Sequence, residues 1–322
     1  MLSGLFKKKV FPIGVDLGSG YLKMAQLQRD DKGLHLKAAA IREKPYDISV
    51  GTAEWQKWIA ETTPQLIAGN GFKGKEVIAA MPAKEVFIEQ VQIPRVPEKE
   101  IAEAVASKVA NKLPFDIGDA MIKHVCSDSA AGGQLDVLVM AAEKQKVYHN
   151  LAIYEKAGLS IKGICVWPIA GVNVYVNFFG RRQSDAETVV LLVEIGMNHT
   201  SVTICRHKQL LFARLISIGF SQINNGQMSE RLISEIDACG RYFESSQDEN
   251  KIERLVLFSD KNINRTICDK IADFARSRQI PAQIGDVLAA VGVRENKNPV
   301  IDRRGPQPNW SMAFGLSLDS EK

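Results

Sequence analysis

Residues with the types and spacing of a phosphate-binding site lie near the start of the chain. An apolar run from Ile13 leads to Asp16, glycines follow at positions 18 and 20, and a second run reaches Lys23. Glycines let the backbone approach an anion closely and turn its N–H groups toward it. A carboxylate at a strand end can hold the water shell of Mg²⁺, and a lysine adds a point charge on phosphate. We therefore predict a phosphate-binding hairpin in which Asp16 holds Mg²⁺ through water, formed by Asp16, Gly18, Ser19, Gly20, Tyr21 and Lys23.

The spacing in this hairpin differs from that of two common nucleotide-binding motifs. A P-loop requires G-x-x-x-x-G-K-[ST], and a Rossmann fingerprint requires G-x-G-x-x-G before a helix. Here Lys23 is followed by a further strand pattern. The pattern D-x-G-x-x-x-x-K on a β-hairpin is instead typical of actin-like ATPases and sugar kinases. The alternative explanation is a glycine-rich turn with a solvated aspartate and lysine.

A similar pattern recurs in the second half of the chain. An apolar strand reaches Glu194, Gly196 follows, and Thr200 opens the next strand. Gly196 permits close backbone approach, and the Thr200 hydroxyl could donate to a terminal phosphate. Glutamate in place of aspartate moves the carboxylate by about one C–C bond length, which disfavours the positioning of a catalytic water. Two such hairpins indicate an internal duplication whose halves clasp a nucleotide.

The composition is that of an ordinary globular protein with about two domains. The chain has 322 residues, of which 45% are hydrophobic and 24% charged, and its net charge is +4. So small a charge bias argues against nucleic acid as a partner. The five cysteines are widely spaced without a C-x-x-C pair, and the five histidines show no metal-ligand spacing. Since neither a signal peptide nor a membrane-spanning run is evident, we expect a cytoplasmic protein.

Hydrophobic periodicity predicts strands and helices along the whole chain. Three strands fill residues 10–43, and a comparable series of strands begins near residue 188. Proline and glycine mark several helix ends, such as Pro97 and Gly158. The helices are predicted over residues 53–68, 97–113, 143–157, 168–178, 229–243, 263–276 and 309–316.

A series of short motifs then resembles one family. In chain order they are A-M-P at 80–82, V-Q-I-P at 91–94, V-P-E-K-E-I at 96–101, K-L-P-F at 112–115 and E-K-A-G-L at 155–159. L-I-S-E-I-D-A-C-G-R-Y-F at 232–243 is similar to that family's nucleotide-facing helix, and W-S-M-A-F-G-L-S-L at 310–318 to its closing helix. The order of these motifs over nearly the whole chain resembles the PilM family of type IV pilus assembly.

The resemblance implies an α/β fold of the actin-like type, similar to that of the cell-division protein FtsA. This fold is a duplicated ribonuclease H-like unit with an inserted small α+β subdomain, called 1C. The implied division is subdomain 1A at 1–72, the inserted 1C at 73–157, and the return to 1A with the linker at 158–185. Residues 186–322 then form the second half, 2A and 2B, whose last helix closes on 1A.

The resemblance also implies ATP and Mg²⁺ in the cleft between the halves. The nucleotide site then comprises the first hairpin together with Glu194, Gly196, Thr200, Glu235 and Ser259. The chain departs from the family pattern at Ala238, where an arginine is common, and after the strand before Ser259, where a glycine pair is usual. With Glu194, these departures predict weak adenine binding and at most a weak ATPase. We assign no catalytic residue.

The partner implied by the resemblance is an N-terminal cytoplasmic peptide of the inner-membrane protein PilN, held in a groove between 1A and 1C. Leu113, Pro114 and Phe115 are candidate lining residues, although an apolar helix end packed on its own sheet is the alternative. Contacts with motor-platform proteins and self-association into a homo-oligomer are also consistent with the resemblance. The protein would then lie in the cytoplasm and reach the inner membrane through its partners.

Several functions remain as alternatives at this point. The first is an ATP-binding scaffold with little or no hydrolysis. Another is a nucleotide-free adaptor of a related pilus or of a type II secretion system. A small-molecule kinase of the same superfamily is less favoured because residues 167–184 contain no acidic residue that could act as a catalytic base. An FtsA-like protein is disfavoured because no amphipathic membrane helix follows Leu318.

Overall fold

The computed structural model describes residues 8–128, 133–223, 226–246, 250–259, 265–292 and 308–319. The strands in these ranges are β1 (Lys9–Leu17), β2 (Tyr21–Asp30), β3 (Gly33–Glu43), β4 (Glu76–Ala80), β5 (Phe87–Pro94), β6 (Ala120–Asp128), β7 (Gln134–Glu143), β8 (Ser160–Cys165), β9 (Val189–Ile195), β10 (Thr200–Arg206), β11 (Gln209–Ile216), β12 (Arg254–Phe258) and β13 (Ala282–Ile284). The helices are α1 (Ala53–Gly69), α2 (Glu98–Val109), α3 (Lys144–Lys156), α4 (Trp167–Val174), α5 (Gly226–Ser246), α6 (Arg265–Ser277), α7 (Val287–Ala290) and α8 (Ser311–Leu318).

Two five-stranded sheets repeat one topology. The first sheet has the order β3-β2-β1-β4-β8, and the second has the order β11-β10-β9-β12-β13. In each sheet the first three strands form an antiparallel meander, and the last two run parallel to the central strand. The repeat confirms the predicted duplication and the α/β fold class. It also brings the carboxyl ends of the parallel strands to one edge of each sheet, where a ligand site is expected.

A third, three-stranded sheet has the order β5-β7-β6 and is antiparallel throughout. Alternate residues of β7 point to opposite faces. Val137 and Val139 pack with Val105 and Val109 of α2. Leu138 and Met140 belong instead to a core cluster that also contains Leu210 and Ala213 of β11. The inserted sheet is therefore covered by α2 on one face and packs against the second half on the other.

Two elements within residues 73–157, β4 and α3, belong with the first sheet and not with the inserted three-stranded sheet. Strand β4 pairs parallel with β1, so it extends the first sheet. Helix α3 packs on that same sheet, because Tyr154 shares a core with Ile13 and Val15. The inserted unit therefore comprises β5, α2, β6 and β7, between two elements that belong to the first sheet.

One local prediction was wrong, and two short elements were not predicted. Helix α2 ends at Val109, whereas the helix was predicted to continue to residue 113. The carbonyl of Val109 accepts hydrogen bonds from the N–H groups of both Lys112 and Leu113, so the chain turns there. The short elements β13 and α7 were not predicted, because three or four residues are too few to show a periodicity.

The closing helix α8 lies against β1 and α4 at very short range. A Cβ built on Gly14 would lie 2.0 Å from the carbonyl oxygen of Ala313, and one on Gly315 would lie 2.1 Å from that of Ala170. The Ser317 hydroxyl donates to the carbonyl of Pro12 at 2.8 Å. The two glycines thus allow backbone-to-backbone packing, which fixes the start of α8 between the two halves.

Candidate functional site

The first predicted hairpin brings Asp16 and Lys23 together. These residues lie directly opposite each other in the β1–β2 register. The Lys23 Nζ is 2.8 Å from Asp16 Oδ2, and the two side chains are only 12% and 14% exposed. The same amine donates to the carbonyl oxygen of Asn309 at 2.6 Å. The charged end of the hairpin therefore faces the segment that leads into α8.

The second predicted hairpin faces the first one. Strands β9 and β10 are joined through a turn in which the Gly196 N–H donates to the carbonyl of His199 at 2.9 Å. A Cβ on Gly20, at the tip of the first hairpin, would meet the Cε of Met197 at 3.7 Å, and nothing else within 4 Å. A side chain of the second glycine turn therefore approaches the first turn, so the two turns, one from each half, face each other.

Glu194 connects the second half to the same network. Its Oε1 accepts hydrogen bonds from Asn309 Nδ2 at 2.8 Å and from the Ser311 hydroxyl at 2.7 Å. Burial raises the pKa of Glu194, while the hydrogen bond from Ser311 and the charge of Lys23 act in the opposite direction. Asp16, Lys23, Asn309 and Glu194 thus form a continuous polar chain from one half of the molecule to the other.

Two further polar residues border this chain. His199, in the second hairpin, has its pKa lowered chiefly by burial and also by Lys84, whereas Asp16 acts to raise it. The imidazole is therefore neutral near pH 7. On the side of the first sheet, the Tyr154 hydroxyl accepts from the N–H of Ala80 at 3.0 Å. Burial raises the pKa of Tyr154, so this hydroxyl remains protonated.

Three other residues predicted to bind nucleotide, Thr200, Glu235 and Ser259, lie outside the polar chain from Asp16 to Glu194. Thr200 is fully buried, and its hydroxyl donates to the carbonyl of Ile218 at 2.8 Å, so its hydrogen is used inside the second half. Glu235 on α5 lies 4.0 Å from Arg214 of the edge strand β11. Ser259 follows Phe258, whose β-sheet partner is Glu194, so it lies at the sheet edge that carries the second hairpin. Residues 260–262, which follow Ser259 where the family usually has a glycine pair, lie outside the described ranges.

Sequence reasoning missed Asn309 and Ser311, the two residues that join the hairpins. The Asn309 Oδ1 accepts from the Ser311 N–H at 2.9 Å, which fixes the asparagine side chain at the start of α8. An asparagine before an apolar helix is an ordinary helix-start signal. The hydrogen bond from Asn309 to Glu194 depends instead on the packing of α8 between the halves, which no local sequence pattern indicates.

The predicted peptide-lining segment has a mixed environment. Leu113 is half-buried and packs on the cluster under α2, which agrees with the alternative of an internal contact, while Pro114 is exposed and Phe115 half-buried. Three more exposed apolar residues lie in the elements that follow this segment. They are Ile117, Met121 and Tyr148, with exposed fractions of 36%, 37% and 60%.

One hydrogen bond connects the elements that carry these three residues. The Lys144 Nζ donates to the carbonyl of Gly118 at 2.6 Å, which connects the start of α3 to the turn before β6. Tyr148 lies four residues after Lys144 and therefore on the same face of α3. We call Ile117, Met121 and Tyr148 the α3–β6 surface.

A family model described as type IV pilus assembly protein PilM matches residues 14–231. This match covers both hairpins, the inserted sheet and the start of α5. The chain belongs to the PilM family. No curated protein sequence matches it.

One of the solved structures similar to this PilM-family chain supports its fold over nearly the whole length. The structure described as the PilM-PilN type IV pilus biogenesis complex superimposes with a TM-score of 0.74 at 20% identity, covering 95% of this chain and 97% of that one. The cytoplasmic domain of EpsL, an inner-membrane component of the type II secretion system of Vibrio cholerae, gives 0.47 at 11% identity, covering 98% and 97%. The ethanolamine utilization protein EutJ from Carboxydothermus hydrogenoformans gives 0.48 at 11% identity, covering 99% and 93%.

The described ranges of this PilM-family chain contain neither a membrane-crossing helix nor a cluster of metal-ligating side chains. None of their helices has both the length and the apolar character needed to cross a membrane. Nor does any group of three or more His, Cys, Asp or Glu side chains converge there as a metal site.

Proposed function

We propose that this PilM-family chain is a cytoplasmic scaffold of type IV pilus assembly. It binds MgATP between its two halves, hydrolyses it slowly or not at all, and holds an N-terminal peptide of a PilN-like inner-membrane protein. Through that peptide the scaffold would associate with the inner membrane. The observation that carries the nucleotide part is that the two glycine turns, one from each half, face each other beside Asp16 and Lys23.

The residues at this point suit the phosphate end of a nucleotide. Gly18, Ser19 and Gly20 offer backbone N–H groups in a turn that faces the other half. Lys23 would exchange its ion pair with Asp16 for a phosphate, and Asp16 would then hold the water shell of Mg²⁺. The neutral His199 and the buried hydroxyl of Tyr154 add no charge that would repel a phosphate.

Slow hydrolysis follows from the environment of Glu194. Its Oε1 already accepts two hydrogen bonds, from Asn309 and Ser311, and burial raises its pKa. A carboxyl group held in this way is poorly placed to orient an attacking water, because that task requires a free acceptor at a fixed position. The scaffold would therefore use nucleotide as a structural ligand.

Thermal unfolding with and without MgATP tests the nucleotide part. We expect MgATP to raise the melting temperature of the wild type and to have no effect on Asp16→Ala or Lys23→Ala. Lys162→Ala is the matched control, because Lys162 forms an exposed ion pair with Glu76 at 3.0 Å on β4 and should leave the shift unchanged. Equal shifts in the wild type and both hairpin variants would refute the proposed site.

One observation favours the second candidate, a nucleotide-free adaptor. The polar chain from Asp16 to Glu194 already satisfies its charges without a ligand, since Lys23 pairs with Asp16 and donates to Asn309. In that case Lys23→Ala would lower the melting temperature of the protein alone, because the buried Asp16 carboxylate would lose its partner. MgATP would then shift neither the variant nor the wild type.

The α3–β6 surface supports the peptide part of the proposal. It exposes three apolar side chains at the junction between α3, which packs on the first sheet, and the inserted sheet. Strand β6 is an edge strand there, so its backbone can also accept an extended peptide. Apolar anchors plus main-chain hydrogen bonds are the usual means of binding such a peptide.

Fluorescence anisotropy with a labelled N-terminal peptide of the cognate PilN-like protein tests this surface. We expect Tyr148→Ala and Met121→Ala each to weaken binding about tenfold, the loss typical of an apolar anchor. Tyr242→Ala is the matched control, because Tyr242 on α5 is similarly exposed at 52% but lies in the second half. Unchanged affinity in both surface variants, or equal loss in the control, would exclude this surface.

A further inference from the structure

A cavity of about 530 Å³ lies apart from the nucleotide cleft, at the linker between the halves. One wall is formed by Phe178 and Phe179, in the π-helical segment Tyr175–Phe179 that continues α4. Arg181, Arg182 and Asp185 of the linker form another. The second half supplies Arg254 and residues 281–283. We call this the linker cavity.

The linker cavity and the second hairpin lie at opposite ends of strand β12 in the second sheet. Arg254 is the first residue of β12, whereas Phe258, its last residue, pairs with Glu194 beside the second hairpin. Four steps along a strand span about 13 Å. Residues 281–283 likewise lie at the start of β13, next to Arg254. A ligand in the linker cavity would thus be separate from a nucleotide in the cleft.

The charges of the linker cavity leave a positive excess. Arg254 is paired with Asp185 at 3.1 Å, and this carboxylate, 3% exposed, also accepts from the Arg182 N–H at 3.0 Å. The guanidinium groups of Arg181 and Arg182 are exposed, and within the described part of the chain neither forms an ion pair or hydrogen bond. Three arginines and one aspartate therefore line the cavity, and one of the arginines is paired with the aspartate.

The other wall is apolar and well ordered by packing. Phe178 is buried, its ring centroid lies 6.4 Å from that of Phe179, and Phe179 in turn lies 5.7 Å from Phe258 in an edge-on arrangement. Tyr175, three residues before Phe178, has a buried hydroxyl close to Arg254, whose charge opposes the rise that burial causes in the Tyr175 pKa.

We propose that the linker cavity binds a small phosphate-bearing molecule with an aromatic or apolar body. Guanidinium groups bind phosphate with two parallel hydrogen bonds, and two of them match the charge of a phosphate dianion better than that of a single carboxylate. The phenylalanine wall accommodates the uncharged body. The volume is in the range of small-molecule sites. Because both halves line the cavity, the bound molecule would also stabilise their junction.

Calorimetric titration with phenyl phosphate, in a buffer free of phosphate, tests this proposal on the full chain. We expect saturable binding by the wild type and by Lys23→Ala, since the cleft is not involved. The double variant Arg181→Gln/Arg182→Gln should lose at least about tenfold in affinity, the loss expected when charged hydrogen bonds are removed. Inorganic phosphate, which lacks the aromatic body, should bind more weakly than phenyl phosphate.

The matched control removes the same charge elsewhere. Arg265→Gln/Arg276→Gln changes two arginines on α6 that are 94% and 75% exposed, and it should bind phenyl phosphate like the wild type. No saturable binding by the wild type, or equal loss in the two double variants, would overturn the proposal. Benzoate binding as tightly as phenyl phosphate would also overturn it, because the site would then select a carboxylate.

Discussion

At the scale of single residues, Glu194 makes the stability of the protein depend on pH. Because burial raises its pKa, the folded protein holds this proton more tightly than the unfolded chain does. The contribution of Glu194 to the free energy of unfolding is therefore complete below its ordinary value of 4.5 and declines as the pH rises through the raised pKa. Above that window, the folded state bears the cost of a buried carboxylate.

Glu194→Gln removes this decline, since the amide keeps an acceptor oxygen for Asn309 and Ser311 but does not ionise. We expect the variant to gain free energy of unfolding relative to the wild type between about pH 4.5 and pH 7.5. Urea unfolding at both pH values measures the gain. Glu187→Gln, at an exposed linker position, is the control and should show no such trend. A wild-type-to-variant difference that is constant with pH would contradict the account.

Tyr154 supports the strand end behind Asp16. Its hydroxyl accepts from the N–H of Ala80, so Tyr154→Phe would leave that N–H buried without its partner. We expect a loss of about 1–2 kcal/mol in free energy of unfolding, measured by urea titration. Tyr148→Phe, at a position 60% exposed, should lose almost nothing. Equal stability of the two variants would show that the bond to Ala80 contributes little.

At the scale of elements, the position of α8 determines the arrangement of the candidate site. Ser311, its first residue, and Asn309, just before it, reach Glu194 because Gly14 lets the backbone of α8 pack directly on β1. Gly14→Ala would introduce a Cβ 2.0 Å from the Ala313 carbonyl oxygen, which forces α8 away. We expect a loss of at least about 3 kcal/mol in free energy of unfolding.

The control for this prediction is Gly69→Ala. Gly69 is the last residue of α1, and a Cβ there would meet nothing within 4 Å. Since alanine favours helix more than glycine does, this variant should be neutral or gain up to about 1 kcal/mol. Urea unfolding of both variants measures the contrast. A small effect of Gly14→Ala would mean that α8 can shift without cost.

Most elements could be predicted from the sequence because they are long and periodic. The three strands predicted over residues 10–43 are β1, β2 and β3, and the series predicted from near residue 188 begins with β9 at Val189. The end of α2 was missed because Leu113 continues the apolar stripe, although the backbone has already turned at Val109. The glycine in β1 was a usable signal, since a glycine inside a strand often marks close backbone approach.

At the scale of the whole molecule, a buried ion pair fixes the connection between the halves. Asp185 at the end of the linker pairs with Arg254 at the start of β12. Asp185→Asn would leave Arg254 without its counter-charge, and we expect a loss of about 3 kcal/mol in free energy of unfolding. Asp273→Asn is the control, because its ion pair with Arg276 is exposed and should contribute below about 1 kcal/mol. Equal losses in urea unfolding would contradict this role.

The candidate site was predictable only in its local parts. Asp16 and Lys23 are seven residues apart in one hairpin, so pattern alone brings them together. Thr200 fits the same pattern, but its side chain points into the core of the second half, where Ile218 provides an acceptor. Asn309 reaches Glu194 across 115 positions of sequence, and only the packed fold creates that contact.

The central claim is that the two facing hairpins hold MgATP between the halves. Calorimetric titration of the wild-type protein with Mg²⁺ and a slowly hydrolysed ATP analogue tests it most directly. The account predicts saturable binding that Lys23→Ala abolishes and Lys162→Ala preserves. Absence of binding by the wild type at millimolar concentrations of the analogue would contradict it, and would leave the polar chain between Asp16 and Glu194 as the permanent closure of a nucleotide-free adaptor.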